Sequence, residues 1–219
     1  MTHGVTKVTS VEDGEMDSGR IEAMAEAAAR DADDLETLLN AVGPARVPQP
    51  VREESAAALK LVAAGHPSVL VSRLDEIVRL LESDNAFTRM AMIHVIANLA
   101  CADVSTPLDV PLDHLLRRLA DDKVSVAGHV LIAAAEIARA RPELADRITA
   151  RILDLPKVAA RPERVGLLRS YAIEALDGYL SPDARTPSVV AFVAAGLADD
   201  SPKARKLAAE TLRDWAADQ

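Results

Sequence analysis

The chain has 219 residues, 49% of them hydrophobic but only 2% aromatic, with a formal net charge of −9 and a pI near 5.1. That balance excludes a whole-surface attraction to phosphate backbones or anionic membranes. The single cysteine, Cys101, excludes an internal disulfide. Nine glycines and twelve prolines are too few for a fibrous or low-complexity chain.

Residues 1–19 are polar and read as a disordered acidic tail. They lack the basic start and apolar run of a signal peptide. No apolar run reaches membrane-spanning length, because charges interrupt each one. The expected location is the cytoplasm.

Helical periodicity then takes over. Residues 19–41 and 51–64 read as the first pair of helices. Leu70, Leu74, Ile77 and Leu81 fall on one face at spacings of four, three and four. Met92, Ile96 and Leu99 follow on the next helix. Leu108, Leu112, Leu115 and Leu119 repeat the first pattern, and Val126, Val130, Ala133 and Ile137 repeat the second. Leu144, Ile148, Ile152 and Leu155 come next, then Val165, Leu168, Ala172, Leu176 and Tyr179. The last pair spans residues 187–198 and 202–217. Gly65-His66-Pro67 ends one helix and opens another. Asp200-Ser201-Pro202 sets capping side chains beside a proline whose missing N–H costs nothing in a first helical turn. The stretch from Val124 looks briefly strand-like, but its alanine-rich continuation makes it helical. Trp215 is expected to plug the end of the core.

The punctuation is periodic. Asp84-Asn85, Asp122-Lys123, Arg161-Pro162 and Asp200-Ser201 lie 38, 39 and 39 residues apart. Paired helices at this period form stacked arrays, because one pair cannot bury its apolar face alone. In Asp84 with Arg89, and Asp200 with Arg205, the chain resembles the HEAT-repeat family of armadillo-like α-solenoids. That family carries an aspartate in the turn within each pair and a basic residue soon after. The middle units depart, with Ala127 and Gly166 at the arginine position. The resemblance implies an all-α, right-handed superhelical α-α solenoid of about five HEAT-like helix pairs in one domain over residues 20–219. The expected units are 20–65, 66–103, 104–141, 142–182 and 183–219.

The search for chemistry returns little. His3, His66, His94, His114 and His129 form no metal-binding pattern. The His-Glu dipeptides of iron-binding repeat enzymes are missing too. His94 and His129 are one position out of phase on consecutive second helices and could still approach across a layer. Cys101 has no assignable base and reads as a buried or half-buried inert thiol. No catalytic, cofactor-binding or metal-ligating residue is assigned, and no cofactor is expected.

The informative feature is charge asymmetry. Residues 1–50 hold ten acids against Lys7, Arg20, Arg30 and Arg46, a composition suited to capping the open end of an array or meeting a basic partner. Eight basic residues between Arg139 and Arg169 face only Glu143, Asp146, Asp154 and Glu163. Arg139, Arg147, Arg151, Arg161, Arg164 and Arg169 are the candidate partner-binding residues, suited to an acidic or phosphorylated protein partner or a nucleic-acid backbone. The alternative is ordinary surface arginine, ion-paired or packed over apolar surface. The leading expectation is a non-catalytic protein–protein scaffold or adaptor using a concave helical surface. A nucleic-acid-associated module and a repeat-fold enzyme of unknown reaction are the alternatives. Helical-repeat DNA glycosylases share the architecture, but no residue of theirs maps here.

Overall fold

The computed structural model describes residues 17–103, 105–159 and 162–218. Among them every regular element is helical: α1 (Ser18–Arg30), α2 (Ala32–Val42), α3 (Gln49–Gly65), α4 (Pro67–Val71), α5 (Leu74–Leu80), α6 (Ala86–Ala102), α7 (Asp109–Arg117), α8 (Val124–Ala140), α9 (Ala145–Leu153), α10 (Leu155–Val158), α11 (Val165–Tyr179), α12 (Pro187–Ala194) and α13 (Pro202–Ala217), with short 3₁₀ turns between. None is long and apolar enough to cross a membrane.

The long helices α3, α6, α8, α11 and α13 stack on one another in chain order, and the shorter helices pack behind them. This is a stacked solenoid of five helical units. α6 and α8 sit in the middle of the stack and bury side chains around most of their circumference, ten residues each. A helix covered on several sides is apolar nearly all round. Leu70, Ile77, Leu81, Leu112, Leu115 and Ile148 are fully buried, as their spacing predicts. Each such side chain contributes about 1.5–3 kcal/mol of apolar transfer. Ala133, Ala134, Ala172 and Ala208 are also fully buried; their small size lets adjacent layers approach.

The first helices differ from expectation. Residues 19–41 form two helices, not one. Asp31 leaves the helical region (φ −130°, ψ 130°) and its carboxylate accepts from the N–H groups of Asp33 and Asp34, capping α2. An aspartate in mid-pattern offers the backbone this local alternative. The apolar stripe from Leu70 to Leu81 is likewise divided, at Ser72-Arg73, into α4 and α5. At the N-terminus, Asp17 caps α1, so helix begins inside the stretch read as tail; residues 1–16 of that tail lie outside the described residues.

Two junctions carry a repeated polar device. Within its own turn Arg89 donates from Nη1 to the Ser83 carbonyl at 2.7 Å, not to the Asp84 carboxylate. It reaches forward to the next unit, where its Nη2 donates to Asp121 Oδ1 at 2.9 Å and its Nε lies 2.9 Å from Oδ2. Asp121 also accepts from the Lys123 N–H at 2.9 Å, shaping the entry to α8. Asp199 does the same work one junction from the C-terminus, accepting from the Ser201 N–H and from Arg169 Nε, each at 3.0 Å. Arg169 comes from one turn further along its helix than Arg89. The position nearer the turn is Gly166, and an added Cβ there would fall 1.9 Å from Asp199 Oδ1. Arg205 instead donates to the backbone carbonyls of Asp199 and Asp200. Trp215 closes the last layer as expected: it is buried, its Nε1 donates to Asp177 at 2.7 Å, and Arg185 stacks over its ring.

Candidate functional site

The side of the stack away from the short helices is lined by stripes from the long ones. α6 presents Phe87, Met90, His94, Asn98 and Cys101, at spacings of three and four. α8 presents Ser125, His129, Ile132, Glu136 and Arg139, and α11 presents Leu167, Tyr171 and Glu174. Leu61, Phe87, Ile132 and Leu167 stay 38–44% exposed here on four successive long helices. Ile132 and Leu167 line one groove together, and clustered exposed apolar side chains carry a solvation cost that isolated ones do not.

Polar ties cross three of the layers on this face. Asn98 Nδ2 donates to the Lys60 carbonyl at 2.9 Å. His94 Nε2 and His129 Nδ1 share a hydrogen bond of 2.8 Å with their rings nearly perpendicular. The one-position offset thus does not keep them apart. Burial is the main force holding His94 in its neutral form, with His129 and Lys60 adding to it, and its pKa falls to about 4. His129 is pushed down as well, by burial and then Lys60. With both rings neutral, one N–H serves the pair, its owner set by the tautomers. At the far end, Lys203 lies over the Tyr171 ring and pairs with Glu174 at 3.1 Å.

Between α8 and α11 the face opens into a groove of about 390 Å³, lined by Gly128, His129, Ile132, Leu167 and Tyr171 among others. Gly128 sits mid-helix, where its missing side chain leaves the hollow. A second groove of about 430 Å³ runs between α1 and α3 over Ala57, Lys60, Leu61 and Asn98.

The five described arginines of the six do not gather in one patch. Arg139 borders this face beside Ile132, Tyr171 and Glu174. Arg164 is exposed at the start of α11 and rims a polar groove of about 510 Å³ shared with Leu167, Arg169 and Asp199. Arg139 lies beside Gly178, near the other end of α11, so the two are separated by roughly 20 Å of helix. Arg169 is committed to Asp199, the Phe192 carbonyl and the Phe192 ring. Arg147 is committed to Asp109 and Asp113 on the short-helix side, and Arg151 shares its helix there. Arg161 lies outside the described residues.

Cys101 is exposed, against the expectation of a buried or half-buried thiol. Partial burial and Glu136 push its pKa up, with Arg139 opposing, which disfavours the reactive thiolate. The described residues contain no group of three or more metal-ligating side chains.

From sequence, Phe87 with Met90 suits an adaptable protein interface, but both grooves, and Leu61, Ile132 and Leu167, carry no motif. Their signal is that each falls on the polar side of its helix's buried stripe, which a projection of each long helix would expose.

Neither a family model nor a curated protein matches the sequence. Among solved structures, a designed armadillo repeat protein is 16% identical, with a TM-score of 0.50 over 91% of this chain and 94% of that one. An engineered protein from a structural genomics programme is 17% identical, with a TM-score of 0.49 over 91% and 90%. At such identities the likeness concerns the fold, an armadillo-like helical repeat.

Proposed function

We propose that this armadillo-like helical repeat is a HEAT-type scaffold that binds a protein partner along a concave face formed by α3, α6, α8, α11 and α13, without chemistry of its own. The observation that carries this reading is the groove that Ile132 and Leu167 line together, with Leu61 and Phe87 also exposed on the two preceding long helices. Stacked helices present side chains in parallel rows, so a partner segment crossing them would meet one anchor per layer. Arg139 lies beside Ile132 and Arg164 beside Leu167, where each is placed to meet an acidic or phosphorylated side chain.

The experiment is affinity capture under nuclease treatment, comparing wild type with Ile132→Glu and with Leu167→Glu. A common protein recovered by wild type and lost from both variants supports the reading, provided circular dichroism shows both folded. Equal recovery by all three refutes use of this face. Recovery that vanishes with nuclease alone transfers the function to nucleic acid.

A further inference from the structure

The outer side of the stack carries its own pattern. In three successive units, the residue just before a buried apolar anchor of the first helix is Arg73 (before Leu74), Pro111 (before Leu112) and Arg147 (before Ile148). Arg73 reaches back one unit to Glu36 at 2.6 Å. Arg147 reaches back one unit to Asp109 at 3.2 Å and to Asp113. Pro111 can do neither. At its junction the slot is a groove of about 440 Å³ over Val71, Leu74, Val78 and Val110, and the only charged side chains lining it are Asp75 and Asp109. Asp75 is exposed and makes no ion pair among the described residues, although its junction is tied elsewhere by Arg118 to Glu82. Val110 is 60% exposed, the most of any large apolar side chain described. The volume falls in the range of clefts that accept ligands.

We infer that this groove between α5 and α7 is a docking site for a partner segment combining an aliphatic side chain with an arginine or lysine. The cation takes the place that Arg73 and Arg147 hold at the flanking junctions. The aliphatic group covers Val110 and Val78, and the cation meets Asp75. Charge complementarity favours a basic segment over an acidic one: no cation lines the groove, and the chain as a whole carries −9. This site is separate from the face lined by the long helices, so it stands or falls independently of the scaffold reading.

The test uses the full chain and three capped hexapeptides: Ala-Leu-Leu-Arg-Arg-Ala, an analogue with both arginines replaced by glutamate, and one with both leucines replaced by serine. Methyl resonances of Val71, Val78 and Val110 are followed by NMR at low and high salt. Saturable shifts at these methyls with the first peptide only, weakening as salt rises, are expected. Asp75→Asn should weaken binding by about threefold. Pro111→Arg should abolish it by filling the slot from within, and Val110→Glu gives a second blocking variant if Pro111→Arg does not fold. No shift at millimolar peptide overturns the inference, as does equal binding of the glutamate analogue or shifts confined to methyls of Leu61, Ile132 and Leu167. Sedimentation showing a dimer that Val110→Glu dissociates would overturn it too, assigning the groove to a second copy.

Discussion

Arg89 and Asp121 show how one ion pair sets the spacing of two units. Their side chains are 8% and 3% exposed. Removing Arg89 leaves Asp121 with only the longer Arg118 contact, at 3.8 Å, in a medium that solvates the charge poorly, and breaking a buried pair usually costs about 3–5 kcal/mol. Arg89→Met is therefore expected to lower stability by about that amount in urea titration. Arg89→Met with Asp121→Asn should cost much less than the first change alone, because no bare charge remains and the amide oxygen still accepts from Lys123. Two glycines in long helices, Gly128 and Gly166, make an opposed pair. Gly128→Ala meets Tyr171 at ordinary contact distance, 3.6 Å, and removes backbone freedom, so it should stabilise by about 0.5–1 kcal/mol. Gly166→Ala must displace Asp199 from both Arg169 and Ser201, and its midpoint should fall. A Gly166→Ala variant as stable as wild type would show that Asp199 is not needed for that junction.

At the scale of elements, the contact between α6 and α8 contains a histidine pair that joins two long helices. The pKa of His94 is about 4 in the folded protein, below the ordinary value of about 6.5. As pH falls, the unfolded chain therefore takes up the proton first. The stability held by this pair is present above about pH 6.5 and is lost progressively toward pH 4. His129, displaced in the same direction, adds to the loss. The urea midpoint should drop between pH 7 and pH 5, while most carboxylates remain ionised. In His94→Gln/His129→Gln that drop should shrink, and an unchanged pH slope in the double variant would refute the assignment. Sequence alone could bring these histidines to consecutive helices but not to 2.8 Å. That distance depends on how far α8 rotates and slides against α6, which packing of Met92, Ile96, Val126 and Val130 decides.

At the scale of the molecule, a stack in which each layer touches only its neighbours has stability that varies along its length. The single tryptophan reports on the last layer, where Trp215 rests on Asp177 and Arg185. Far-UV circular dichroism reports on all layers together. The fluorescence transition in urea should precede the circular dichroism transition, because α13 has a neighbour in the stack on one side only. Coincident transitions would mean that the five units melt as one.

Much of this molecule follows from sequence alone. A 3.6-residue apolar rhythm with capping residues at helix starts is a local property, so it marked the long helices near their observed bounds. The recurrence of Asp84-Asn85, Asp122-Lys123 and Asp200-Ser201 marked the stacking. Low aromatic content and an acidic balance turned attention from phosphate backbones toward protein partners. Tertiary structure decided the rest, because it depends on residues distant in the chain. The arginine run from Arg139 to Arg169 was legible as composition but not as a surface. Folding places Arg139 and Arg164 toward opposite ends of α11 and ties Arg147 and Arg169 to carboxylates 30 or more residues away. It likewise joined Arg89 to Asp121 instead of Asp84, and left Pro111 beside an Asp75 without an ion pair among the described residues. A charge is written into one residue; whether it is free to meet a partner is settled by what the fold sets against it.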